Sequence, residues 1–177
     1  MSVLKVPVGP DDQVQGPAKA PVTLVEYGDY ECPHCGHAYP IVKQLQLEFH
    51  DDLRFVFRNF PLANAHPHAE LAAEAAEAAG AQGKFWEMHD WLFENQQDLS
   101  AENIAAGAKE LGMDVKRLVK DLESRKFQEK VKRDFSGGVR SGVNGTPTFF
   151  INGIRHDADF QFETLTEAVQ SALAQAA

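Results

Sequence analysis

The sequence holds only two cysteines in 177 residues. They are Cys32 and Cys35, with two residues between them. A pair this close excludes the scattered disulfide framework of small secreted domains, so any thiol chemistry happens at one place. Positive charge is also scarce. Seventeen Lys plus Arg against 26 Asp plus Glu leave a net charge of −9, which repels phosphate backbones and anionic lipid. Nucleic acid and membrane surfaces are thereby poor partners. Long apolar runs are missing as well: no stretch approaches the roughly 18 to 20 residues of a membrane-spanning helix. The first twenty residues carry no export-type apolar core and are broken by Pro7, Pro10, Asp11 and Asp12. The expectation is a cytoplasmic protein, or a periplasmic or extracytoplasmic one if the chain is a mature form. Internal repeats, low-complexity tails and domain-separating linkers are absent too.

What is present is an ordinary globular composition, with 44% hydrophobic and 24% charged residues. That supports one domain, or a core domain carrying an inserted subdomain. The β-rich run at 22–27 (VTLVEY) predicts a buried strand leading directly to Cys32. Ile41, Val42, Leu45 and Phe49 recur at helical spacing, so a helix is expected over 33–50. Residues 53–60 alternate as a second strand, and the strand–helix–strand order suggests a parallel pair. Helical patterns follow at 67–79, 85–93, 101–111 and 115–139, with Ser100 and Asp114 as N-caps of the last two. Thr148 to Ile151, then Asn152-Gly153 and Ile154, read as a hairpin, and 162–174 as an amphipathic helix.

Chemistry concentrates at Cys32-Pro33-His34-Cys35, placed after one strand and at the opening of a helix. A thiolate at Cys32 would face unpaired backbone N–H groups and the positive end of the helix dipole, both of which favour the anion. Pro33 suits the first helical position because no N–H donor is needed there. His34, when protonated, adds a further favourable charge. Stabilising the thiolate stabilises the reduced form and raises the reduction potential, a bias toward oxidising partners. A second feature, Gly145-Thr146-Pro147-Thr148-Phe149, opens a distant strand. If Thr146-Pro147 is cis, the turned backbone presents hydrogen-bonding groups to an extended substrate segment.

Taken together, VEYGDYECPHCGHAYP and GVNGTPTFFINGIR, separated by a strand and a helical stretch, resemble the DsbA-like thioredoxin-fold thiol–disulfide oxidoreductases. The likeness covers nearly the whole chain from about residue 22. It implies an α/β thioredoxin fold with an inserted all-helical subdomain: a single domain over 1–177 with the insertion at about 62–140. It also implies Cys32 as the exposed nucleophile, Cys35 as the buried resolving thiol, and Pro147, preceded by Thr146, as the cis-proline. DsbA itself usually has Val before that proline. HPHAELAAEAAEAAGAQGKFWEMHDWLF is similar to a smaller DsbA-like branch sometimes fused to antiporters.

Glu26 lies six residues before Cys32, where members of that family commonly carry a buried acid. Either it relays the Cys35 proton, or strand alternation turns it to solvent. Four potential ligands, Cys32, His34, Cys35 and His37, invite a zinc reading, but ligands this close at one helix start do not easily surround one ion. No metal and no bound cofactor are expected. His66 and His68 read as loop and helix start, Trp86, Met88, Trp91 and Phe93 as core, and Glu70, Glu74 and Glu77 as a solvated face, with Lys and Arg across 116–133 read likewise. The expected enzyme exchanges the Cys32–Cys35 disulfide or dithiol with protein or small-thiol substrates, biased to oxidation and recycled by an external redox partner. It acts as a monomer, without nucleic acid or membrane insertion. Alternatives are a cytosolic disulfide reductase or isomerase, and a non-catalytic redox-sensing or metal-binding module.

Overall fold

A computed structural model describes all residues 1–177. It divides into two compact units: Met1–Gly28, His37–Arg58 and Ser136–Ala177 in the first, Asp29–Gly36 and Asn59–Phe135 in the second.

The first unit is built on a five-stranded sheet. Its strands are β1 (Gln13–Gln15), β2 (Val22–Gly28), β3 (Leu53–Asn59), β4 (Thr148–Ile151) and β5 (Ile154–His156), in the order β1-β3-β2-β4-β5. Strands β2 and β3 read as near-continuous apolar runs because both their faces are covered. Helix α1 (Pro33–Phe49) joins them, and helix α7 (Phe162–Ala176) packs against β2 and β4. Leu24, Tyr27, Leu45, Phe55, Phe57 and Phe150 are fully buried in this unit. The hairpin between β4 and β5 turns on Asn152 (φ 47°) and Gly153 (φ 80°), the left-handed pair that the Asn-Gly signal demands.

Strand β1 escaped the sequence reading. It is three residues long and half-buried, too short to show a period, and it pairs antiparallel with β3 through Val14 and Val56. What fixes it is Arg58. The buried guanidinium grips Asp12 with two bonds of 2.8 and 2.9 Å. It also donates to Val6 O at 2.8 Å, Pro7 O at 3.1 Å and Tyr27 Oη at 2.9 Å. The N-terminal segment is thus tied down by one side chain that satisfies itself there.

The second unit is helical: α2 (Ala69–Gly80), α3 (Phe85–Glu94), α4 (Ala101–Glu110), α5 (Val115–Glu123) and α6 (Gln128–Arg140), the last running on into the first unit from Ser136. Seven alanines of α2 are buried, and their small side chains let α3, α4 and α5 approach closely. Ser100 and Asp114 cap α4 and α5 as read, accepting from Asn103 N–H at 3.3 Å and Arg117 N–H at 3.0 Å.

Two expectations are corrected here. The stretch over 115–139 is not one helix: Arg125 sits at φ 55° and separates α5 from α6. Between Leu122 and Val131 the apolar stripe meets Arg125, Lys126 and Glu129, so nothing pulls a continuous helix through. Arg125 instead closes the turn and grips Glu74, its Nη2 to Oε2 at 2.7 Å. Nor are Glu74 and Glu77 a solvated face; both are buried, Glu74 by Arg125 and Glu77 by Asn59 Nδ2 at 2.9 Å and Lys130 Nζ at 3.5 Å. Met88, Trp91 and Phe93 are buried as core, whereas Trp86 is only half-buried.

Candidate active site

The end of β2 delivers the chain to a short loop, 29–32, and then to α1. Pro33 is the first residue of α1, and Gly36 N–H makes its opening bond to Cys32 O at 3.0 Å. Cys32 therefore sits directly before the helix, where free backbone N–H groups and the dipole favour an anion. Pro33 and His34 are exposed, whereas Cys35 is buried and turned back toward the loop. The structure holds both cysteines as thiols.

Asp29 organises this turn. Its backbone N–H donates to Cys35 Sγ at 3.5 Å, and its carbonyl accepts from Cys32 N–H at 3.1 Å. Its carboxylate, with no solvent exposure, accepts from Glu31 N–H at 2.8 Å, from Leu62 N–H at 2.9 Å and contacts His66 Nδ1 at 2.7 Å. Glu31 repeats the pattern two residues on: it accepts from His68 N–H at 2.6 Å and meets His68 Nδ1 at 3.2 Å. Two acids before the thiols are thus matched to two histidines at the same spacing. Burial opposes the His66 cation, but the hydrogen bond and charge of Asp29, then the charges of Cys32 and Glu31, outweigh it and hold His66 above its ordinary value.

The other side of the loop is held by α3 and the residues after it. Tyr30 Oη meets His89 Nδ1 at 2.9 Å, and its ring packs on Phe93 with centroids 4.9 Å apart. Gln96 Nε2 donates to Tyr30 O at 2.8 Å and Cys32 O at 2.9 Å. A Cβ at Gly36 would collide with the Gln96 side chain, so glycine is what lets Gln96 reach the loop.

The sequence-derived site residues fall in both units. Cys32, Pro33, His34 and Cys35 stand together in the second. Glu26, Thr146 and Pro147 belong to the first, where β2 and β4 pair antiparallel with Glu26 opposite Phe149 and Tyr27 opposite Thr148. Thr146-Pro147 is cis. Thr148 Oγ1 donates to Gly145 O at 2.8 Å and braces that turn.

Of the two readings of Glu26 the buried one holds, and the expected exposure of Cys32 is corrected. Glu26 does not face solvent: it is 2% exposed, because β2 is covered on both faces. Gly28, two residues on, leaves room for the Phe57 ring and for Glu26 Oε1. Cys32 is less open than the resemblance implied, at 3% exposure. The loop that carries it is drawn inward by the Gln96 and Asp29 bonds. No group of three or more His, Cys, Asp or Glu side chains is arranged to hold a metal ion, and no helix is long and apolar enough to cross a membrane.

Asp29, Glu31, His66, His68 and Gln96 were missed as site residues. The legible signal was the matched spacing of Asp29-x-Glu31 with His66-x-His68; nothing in the sequence marks Gln96.

A family model described as thioredoxin matches residues 9–171. The solved structure of oxidised BdbD from Bacillus subtilis is similar, with a TM-score of 0.87 at 27% identity, covering 98% of both chains. A thioredoxin-like oxidoreductase from Silicibacter pomeroyi gives 0.83 at 28% identity over 94% of each chain. Among curated relatives, the Na(+)/H(+) antiporter NhaA 1 of Salinispora arenicola is 49% identical over 172 residues, 97% of this chain and 26% of its own length. The chain thus spans about a quarter of that relative, and the antiport in its name is a property of the longer protein.

Proposed function

The chain belongs to the thioredoxin family, with the DsbA-like fold of a thiol–disulfide oxidoreductase, and from that premise we propose that it oxidises protein thiols through a mixed disulfide at Cys32. The observation that supports the reading is the placement of the pair: Cys32 directly before α1, and Cys35 one turn along with Asp29 N–H on its sulfur at 3.5 Å.

In the oxidised protein, a substrate thiolate attacks Cys32 Sγ. The Cys32–Cys35 bond breaks and Cys35 leaves as a thiolate, which takes up a proton. Glu26, buried on β2, relays that proton. A second substrate thiolate then attacks the substrate sulfur of the mixed disulfide and releases Cys32 as a thiolate at the start of α1. The substrate loses two electrons, the enzyme gains them, and an external redox partner takes them up and restores the bond. Thr146 and Pro147 present backbone groups to the extended client.

Direction depends on how far the reduced form is stabilised and on the poise of the compartment. The helix start and, when it is protonated, His34 favour the Cys32 thiolate, and hence oxidation of clients in an oxidising compartment. The test is a reduced-peptide oxidation assay beside an insulin-reduction assay, on the wild type and Cys32→Ser. The expected result is peptide oxidation that disappears in Cys32→Ser; activity surviving that substitution would overturn the reading.

A further inference from the structure

We propose that His66, clamped by Asp29, is a positioning residue for the reaction: its imidazolium offsets the carboxylates around Cys32 and so stabilises the thiolate and sets the reduction potential. The inference rests on the thiol-exchange reading and deepens it.

The geometry has three parts. First, the side chain is fixed. His66 Nδ1 meets Asp29 Oδ2 at 2.7 Å, and the same oxygen takes Leu62 N–H at 2.9 Å, so the loop bearing His66 closes on a carboxylate that has no solvent exposure. Second, the clamp is continuous with the thiols. The residue that holds His66 also accepts from Cys32 N–H at 3.1 Å and donates to Cys35 Sγ at 3.5 Å. Third, the charges require an offset. Asp29 and Glu31 both lie within three residues of Cys32, and either alone disfavours a thiolate there.

The charged groups facing His66 are Asp29 and Glu31 on the loop before α1 and Cys32 itself; His68, on the same loop as His66, is occupied by Glu31. Burial opposes the His66 cation and Asp29 chiefly holds it, with the Cys32 charge adding in the same direction. Coupling of this kind is reciprocal: what the thiolate does for the imidazolium, the imidazolium does for the thiolate. As pH rises through the titration of His66, the offset is lost and the protein becomes a weaker oxidant.

The experiment has two readouts. The ultraviolet absorbance of the Cys32 thiolate is titrated against pH in wild type and His66→Gln, and the Cys32–Cys35 potential is measured against glutathione in both. The expected result is a thiolate midpoint displaced upward in His66→Gln by about one pH unit, and an equilibrium moved toward the disulfide by about tenfold, or roughly 30 mV for this couple. Superimposable titrations overturn the proposal. A second measurement needs no variant: the His66 ring is titrated by NMR in the reduced and disulfide forms. It should hold its proton to higher pH in the reduced form, and identical titrations in the two forms overturn the proposal. A wild type that exchanges no disulfides, yet shows the His66→Gln shift, refutes the exchange reading alone.

Discussion

Asp29 donates its backbone N–H to Cys35 Sγ at 3.5 Å while its side chain is buried among the residues that follow β3. One residue therefore joins the resolving thiol to a loop more than thirty positions away. Asp29→Ala should remove the acceptor for Leu62, Glu31 and His66 together. The expected cost is about 1–3 kcal/mol for each buried donor left without an acceptor, read as a lowered urea midpoint. Asp29→Asn keeps part of the network and should cost less.

The His66 pair also makes stability depend on pH. Its folded value is raised above the ordinary 6.5, chiefly because Asp29 outweighs the opposing effect of burial. A cation favoured by folding contributes stability that is fully present below about pH 6.5 and is lost as pH rises through the raised value. Denaturant midpoints of wild type and His66→Gln, compared from acidic pH to above that value, should converge as pH rises. Parallel curves contradict the assignment.

Arg58 and Asp12 make a second, separate prediction. The guanidinium is 3% exposed and meets Asp12 at 2.8 Å, with Val6 O, Pro7 O and Tyr27 Oη as its other partners. Asp12→Ala leaves a buried cation with three of its five hydrogen bonds and no counter-charge, and should cost about 3–5 kcal/mol. Proteolysis should then begin in the first fifteen residues, which Arg58 holds down.

Trp91 lies across Gly107 of α4, where a Cβ would press into the indole ring. Gly107→Ala should destabilise by about 1–3 kcal/mol despite the better helix propensity of alanine, since a packed ring has to move. The near-ultraviolet signal of Trp91 is the check.

Glu26 gives a prediction about turnover rather than folding. Glu26→Gln should flatten the pH dependence of disulfide exchange while leaving Cys32 reactive toward an alkylating agent. An unchanged profile removes Glu26 from the proton relay.

Much of this was legible in the sequence because the signals were local. VTLVEY and Asn152-Gly153 declare a strand and a turn by residue type alone, and the thiol pair declares itself by its place between a strand and a helix. What stayed hidden depends on partners far apart in the chain. Glu74 and Glu77 look like a solvated face until Arg125, Lys130 and Asn59 are brought to them. Glu26 was ambiguous because period-2 alternation says which face a side chain takes, not whether that face is covered. His66 and His68 looked incidental because their acids lie across two elements of structure, and β1 because three residues cannot show a pattern.

The oxidising assignment rests on a preference for the reduced form, and the equilibrium of the Cys32–Cys35 pair with glutathione measures it directly. The account predicts a potential above the roughly −200 to −230 mV of glutaredoxins and toward the oxidising end of the thioredoxin-fold range. A value near the roughly −270 mV of thioredoxin, where the dithiol is a reductant, would contradict it.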